Sequence, residues 1–244
     1  MRNNLLKKLC ILFIPLFMFF EIPINAFADE CGEKSIYLTF DDGPADKVTI
    51  SILDTLKKEN VHATFFLIGN QIKDQEDILI RMKEEGHSLG LHSMTHEKCK
   101  LYSSNDGFLK EMLEVQNCIK EATGYTSCIL RFPFGCNNNS YKLKPELIEL
   151  LHKNNFKIYD WNVDSGDGAN PHSSPSTLIK KSQSNKENIF LLMHCGYQSK
   201  TTAEALPGII KYYKDQGYTF KVIDSDTPEV FHYINQKCKE KQSG

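Results

Sequence analysis

An α/β fold built on a parallel sheet is predicted for this 244-residue sequence by three observations. Seven short apolar runs recur along the chain, stretches with apolar residues at helical spacing separate them, and glycines stand where those stretches would end. Alternation of this kind calls for helical crossovers that return each strand parallel to the one before.

The first run, SIYLTF (35–40), precedes a helical pattern in which Val48, Ile52, Leu53 and Leu56 share a face. HATFFLI (62–68) and HSLGLH (87–92) follow, with Gly86 closing the helix between them. Phe108, Leu109, Met112, Val115 and Ile119 then mark a long helical face that Gly124 ends. CILRF (128–132), FKIYDWNV (156–163) and NIFLLMH (188–194) supply three more strands, and Gly217 precedes the last, YTFKVI (218–223). Seven strands fit an open doubly wound sheet or an imperfect barrel, and both collect chemistry at the carboxyl ends of strands. No glycine-rich dinucleotide fingerprint follows the first run. DDGPAD is acidic where a phosphate would need amide donors.

Residues 1–28 read as a secretory signal peptide: Arg2, Lys7 and Lys8, then the apolar LCILFIPLFMFF, then the small residues of AFA before Asp29; the rival reading is an uncleaved membrane anchor, for which the run is short and interrupted by Glu21. That leaves 29–244 as one catalytic domain, expected to be exported or wall-associated, monomeric, and free of the membrane once the leader is cut. No later segment is apolar enough to span a bilayer, and no lipobox precedes Cys31. The 29 basic and 31 acidic side chains nearly balance, and nothing in that balance suggests the basic face that nucleic acid requires, so no nucleic-acid partner is expected. Of eight cysteines, Cys10 leaves with the leader, and the odd remainder leaves at least one thiol unpaired. No Cys-x-x-Cys pair supports a zinc–thiolate site.

The chemistry gathers where the runs end. Asp41 and Asp42 close the first run and meet Gly43 and Pro44. Two like charges side by side repel, and a cation between them and solvent removes the conflict. The third run leads to His92 and His96, the fourth to Arg131, the fifth to Asp164 and Asp167, and the sixth ends at His194. Each has an ordinary reading alone: a capping turn, a surface turn, a salt bridge, a core histidine. All five falling in step with strand ends, on one rim of a parallel fold, favours a site. Two imidazoles and a carboxylate are a common zinc set. One of the two aspartates is therefore expected to bind a divalent cation with His92 and His96. The other would take a proton from the attacking water, which zinc acidifies towards a pKa of about 7. Arg131 would hold that base by bidentate hydrogen bonds and keep its pKa low. His194 is placed as the general acid, its pKa raised by Asp167. The set suits hydrolysis of an amide or ester.

TFDDGP, HSMTH, RFPFG, DSGDG and LLMH, in this order, resemble the five motifs of the polysaccharide deacetylases, carbohydrate esterase family four, across residues 36–223. The resemblance implies a distorted seven-stranded (β/α) barrel and metal-dependent removal of N-acetyl or O-acetyl groups from polysaccharide. It implies Asp41 as base, and Asp42, His92 and His96 as ligands of zinc, with cobalt or nickel as substitutes. It also implies Arg131 orienting Asp41, His194 as acid tuned by Asp167, the Phe134 amide at the oxyanion, and Leu192 lining the acetyl pocket. Phe134 stands where Tyr is frequent, and the amide survives that change. Gly168 stands where a Trp usually follows the aspartate, which removes a groove wall and leaves Asp164 as an alternative partner for His194. Trp161, the only tryptophan, either refills that wall or belongs to the core. Cys195 follows His194 where Asp is frequent, and is paired, metal-binding or simply packed. The expected substrate is peptidoglycan N-acetylglucosamine, with chitin oligomers or O-acetylated xylan as alternatives. A non-catalytic wall-binding protein on the same fold would have no need of Asp41 and His194.

Overall fold

The computed structural model describes residues 33–138 and 141–232; the leader expected over 1–28, and Cys10, Cys31 and Cys238, lie outside the described residues. Eight strands form one parallel sheet: β1 (Ser35–Gly43), β2 (Thr64–Leu67), β3 (Ser88–Leu91), β4 (Ile129–Leu130), β5 (Lys157–Ile158), β6 (Val163–Asp164), β7 (Asn188–His194) and β8 (Thr219–Lys221). Seven follow one another in the order β5-β4-β3-β2-β1-β7-β6, curling into a half-barrel, and β8 pairs with the first three residues of β1. The helices are α1 (Asp46–Glu59), α2 (Glu76–Glu84), α3 (Lys98–Leu101), α4 (Asn105–Thr123), α5 (Pro145–Lys153), α6 (Pro175–Lys181) and α7 (Lys200–Asp215). Gly86, Gly124 and Gly217 all carry positive φ just past helix ends, the conformation that glycine adopts without steric cost.

The period-2 alternation of strands sorts side chains between two cores. Ile36, Leu38 and Phe40 of β1, with Ile189, Leu191 and Met193 of β7, join the large cluster that includes the buried faces of the helices. A second cluster of Phe66, Ile129, Tyr159, Phe190 and Ile223 contains no helical residue, so it fills the concave face of the sheet. Tyr37 stacks on Phe190 there, ring centroids 4.4 Å apart. The same alternation carries Thr39, Asp41, Leu192 and His194 onto the concave face, pointing towards the carboxyl ends.

One element differs from the sequence reading. The run FKIYDWNV is two strands, β5 and β6, at opposite ends of the strand order. Between them Asp160, Trp161 and Asn162 cross the seam of the barrel. Arg131 spans this seam from inside: its Nε donates to Tyr159 O and its Nη2 to Asp160 O, both at 2.9 Å. From the other side, Val230 bridges to Tyr159, and the Glu229 carboxylate accepts from the Ile158 N–H. Backbone groups that would pair across a closed ladder find these partners instead.

Candidate active site

The carboxyl ends of the strands open on a cavity of about 820 Å³ lined by Asp41, Asp42, His92, His96, Asp167 and His194. Phe134, Trp161 and Leu192 also line it, and Arg131 lies beneath, wholly buried.

Asp42, His92 and His96 offer three ligand atoms within 4.8 Å of one another. Asp42 Oδ1 lies 3.5 Å from His92 Nε2 and 3.4 Å from His96 Nε2. That oxygen is buried and accepts no hydrogen bond, a costly state for a carboxylate unless a cation meets it. His92 Nδ1 sits 3.0 Å from Arg131 O. A carbonyl only accepts, so Nδ1 carries the hydrogen and Nε2 turns its lone pair towards Asp42, the tautomer a metal ligand needs. Burial pushes the His92 pKa down to about 3, so the ring is neutral. Two imidazoles and an unpartnered carboxylate oxygen fit a divalent ion of the zinc type. The histidines stand on the loop after β3 rather than on a helix, and Thr95 between them is tied down by Glu111, which accepts from its N–H at 2.8 Å.

Asp41 and Arg131 form the first flanking pair. Arg131 Nη1 donates to Asp41 Oδ1 at 2.8 Å and to Thr39 Oγ1 at 2.7 Å. The expected bidentate contact is therefore absent: geometry assigns the other donors to the seam carbonyls and Thr39. The expected low pKa is also corrected. Burial raises Asp41 above the ordinary carboxylate value, and the neighbouring guanidinium offsets this only in part.

His194 and Asp167 form the second. His194 Nδ1 lies 2.7 Å from Asp167 Oδ1, and the His194 N–H donates to Oδ2 at 2.8 Å. Burial pulls the imidazole down, but the Asp167 hydrogen bond and charge prevail and raise its pKa to about 9. Asp167 is itself held below the ordinary value; its burial works against this and its hydrogen bonds prevail. Asp164, the alternative partner, instead caps the turn by accepting from Gly166 N at 2.7 Å.

A family model described as polysaccharide deacetylase matches residues 28–159, more than half of the chain. The chain belongs to the polysaccharide deacetylase family. It is 35% identical over 211 residues to a peptidoglycan-N-acetylglucosamine deacetylase of Bacillus cereus, covering 83% of this chain and 75% of that one. It is 36% identical over 196 residues to the peptidoglycan-N-acetylmuramic acid deacetylase PdaA of Bacillus subtilis, covering 79% and 71%. The crystal structure of the polysaccharide deacetylase Bc1974 from Bacillus cereus superposes with a TM-score of 0.73 at 34% identity, over 80% of this chain and 95% of that one. The chain is thus a hydrolase of the carbohydrate deacetylase class, on the (β/α) barrel of that family.

The departures of this deacetylase from the family pattern acquire physical content. A Cβ at Gly168 would lie 2.5 Å from His194 Cε1, so the His194 ring occupies the space where a side chain would begin. Trp161 packs over Gly135, where a Cβ would come within 3.0 Å of the indole, and remains half-buried at the cavity edge. Cys195 is a free, fully buried thiol whose Sγ lies 3.4 Å from Asp41 O and close against Gly43. It packs, and burial pushes its pKa well above the ordinary thiol value. All five cysteines among the described residues are free.

Four residues of the site were not anticipated. Thr39 precedes Asp41 by two, so strand periodicity alone places it on the same face. Glu111 is an acid within the apolar face of α4, between Phe108 and Val115, and that misplaced charge was a readable signal. Ser165 and Thr202 both donate to Asp167, at 2.9 and 2.7 Å, and nothing local in sequence marks Thr202.

Proposed function

We propose that this chain is a secreted, divalent-metal-dependent deacetylase of cell-wall glycan, acting on the N-acetyl group of peptidoglycan N-acetylglucosamine. One observation carries the reading: a cation-shaped cluster of Asp42, His92 and His96 shares a cavity with a buried acid held by Arg131 and a histidine held charged by Asp167. The named activities of its relatives and the leader-like first 28 residues support the substrate and the export.

When bound at Asp42, His92 and His96, a divalent cation supplies Lewis-acid polarisation of the acetyl carbonyl and a more acidic water. Asp41 takes the proton of the attacking water. Burial makes it a stronger base than an exposed aspartate, and the single Arg131 hydrogen bond fixes its orientation. The Phe134 N–H, which has no hydrogen-bond partner among the described residues, is available at the cavity edge to the developing oxyanion. Leu192, nearly buried on β7, meets the acetyl methyl. His194 delivers a proton from Nε2 to the leaving amine while Asp167 retains Nδ1.

The test is acetate release from intact peptidoglycan and from N-acetylglucosamine oligomers. Chelation should abolish it, and zinc, cobalt or nickel should restore it. Product analysis should locate the free amine on glucosamine. Absence of acetate from peptidoglycan, chitin oligomers and acetylxylan alike would refute the reading.

A further inference from the structure

The cavity has aromatic rings on two flanks, and they differ. Phe134 leans on the His96 ring, centroids 4.6 Å apart, and Trp161 packs on Gly135, so both are engaged by protein. Tyr197, on the loop between β7 and α7, is 64% exposed, the most exposed of the large hydrophobic side chains among the described residues. It nevertheless lines the same cavity. Its hydroxyl accepts from Gln75 Nε2 at 3.2 Å, and Gln75 is fixed in turn: Nε2 also donates to Gln71 O at 2.8 Å, and Oε1 accepts from Asp46 N at 2.6 Å. A ring pinned at its polar end with its body in solvent is preorganised for an apolar face at little entropic cost.

The surroundings narrow the ligand. Gly196 beside it sits against Asp42, where a Cβ would lie 3.2 Å from Asp42 Cβ, so this loop is coupled to the cation cluster. Gly168 and Ala169 leave the floor beside His194 without bulk. Among the lining residues, Gln198 and Ser199 follow Tyr197 in the chain, and Asn70 and Gln71 stand beside the Gln75 that holds its hydroxyl; all four are uncharged. Amides and a hydroxyl around one apolar ring match neutral hydroxyls and the C–H face of a pyranose, and offer no counter-charge to an anionic ligand.

We infer that Tyr197 is a sugar-stacking platform that binds the neutral pyranose next to the residue losing its acetyl group. The inference deepens the proposed function, since it rests on a glycan entering this cavity. It is tested with the N-acetylglucosamine tetramer. Binding is measured calorimetrically in the zinc-loaded Asp41→Asn protein with Tyr, Phe or Ala at position 197, and KM is measured without the Asp41 change. Loss of one stacking face should weaken binding about tenfold in Tyr197→Ala and raise KM similarly, with kcat falling less than KM rises. Tyr197→Phe, which keeps the ring, should stay within about threefold of the parent. Zinc titration of each variant should show one site of unchanged affinity. Unchanged tetramer affinity and KM in Tyr197→Ala, a Phe variant as weak as Ala, loss of zinc binding, or no tetramer binding by the parent would each overturn the platform. Tetramer binding that depends on Tyr197 with no acetate released by the unsubstituted enzyme would instead leave the platform standing and refute the deacetylase reading.

Discussion

Asp42, Ser93 and His96 hold φ of 69°, 77° and 60°, and Phe134 beside them holds 66°, all in the left-handed region that L-residues avoid at a cost of about 1–2 kcal/mol each. The cation cluster of Asp42, His92 and His96 keeps a buried oxygen with no partner. The proton-handling half of the same cavity is built otherwise. Asp41 and His194 are register partners on β1 and β7, and Asp167 accepts from Ser165, Gly168, Thr202 and twice from His194. Arg131 uses four hydrogen bonds to four separate acceptors. One half is therefore complete as folded. The other carries unfavourable backbone and a buried carboxylate oxygen without a hydrogen-bond partner, a state that a bound cation would relieve.

The largest effect that tests this contrast is expected at Arg131. Arg131→Ala leaves the buried Asp41 carboxylate unpaired and strips the seam carbonyls of their donors, so unfolding in urea should show a loss of about 3–5 kcal/mol, with activity gone. Lysine cannot reproduce the fork and should rescue little. An Arg131→Ala protein as stable as the parent would erase the claim that the proton half is structural as well as chemical.

On the cation side, Asp42→Asn should do the opposite. Asparagine tolerates the left-handed backbone and removes the unmet charge, so the metal-free protein should unfold within about 0.5 kcal/mol of the parent. Zinc at one hundred times its Kd should stabilise the parent by about 2.7 kcal/mol and the variant by almost nothing. Equal stabilisation of both by zinc would move the metal elsewhere.

Much of this arrangement was legible because strand ends are where residue type and position coincide. The acidic pair after SIYLTF, the histidines four apart and LLMH each sit where a parallel sheet presents side chains to a rim. What escaped depends on tertiary approach. FKIYDWNV has the composition of one strand, and the Arg131 fork at Tyr159 and Asp160, with Val230 and Glu229 on the other side, holds the break between two. Thr202 reaches Asp167 from the first turn of α7, 35 residues away, a distance no local pattern encodes. Bidentate pairing of Arg131 with Asp41 failed for the same reason: the seam competes for the guanidinium, and the seam is invisible in one dimension.

The next effect lies in pH dependence. Folding raises the His194 pKa from 6.5 to about 9, so its pair with Asp167 stabilises the fold fully below about pH 6.5, and that contribution is lost as pH climbs through about 9. In the proposed mechanism the protonated imidazole is the form that donates to the leaving amine, so the basic limb of kcat should fall well above 6.5. Asp167→Asn keeps a hydrogen-bond acceptor and removes the charge. It should shift the His194 titration of the metal-free protein, followed by NMR, downwards by about one unit or more, the acid-base limb of turnover moving with it. A titration unmoved by this change would place the source of the shift elsewhere, on Asp41 or Asp42, and blur the division between the two halves.

The smallest effect is expected at Thr202, and it sharpens the contrast because redundancy is the point. Thr202 supplies one of five hydrogen bonds to the Asp167 carboxylate. Thr202→Val preserves shape and removes that donor, at a cost of about 1 kcal/mol. With four donors still in place, the carboxylate stays oriented and ionised, so kcat should fall about threefold to tenfold and the basic limb should move by less than one pH unit. A loss as great as that of Asp167→Asn would mean that the network holds Asp167 through a single contact. The proton half would then be as dependent on one missing partner as the cation half is on its metal.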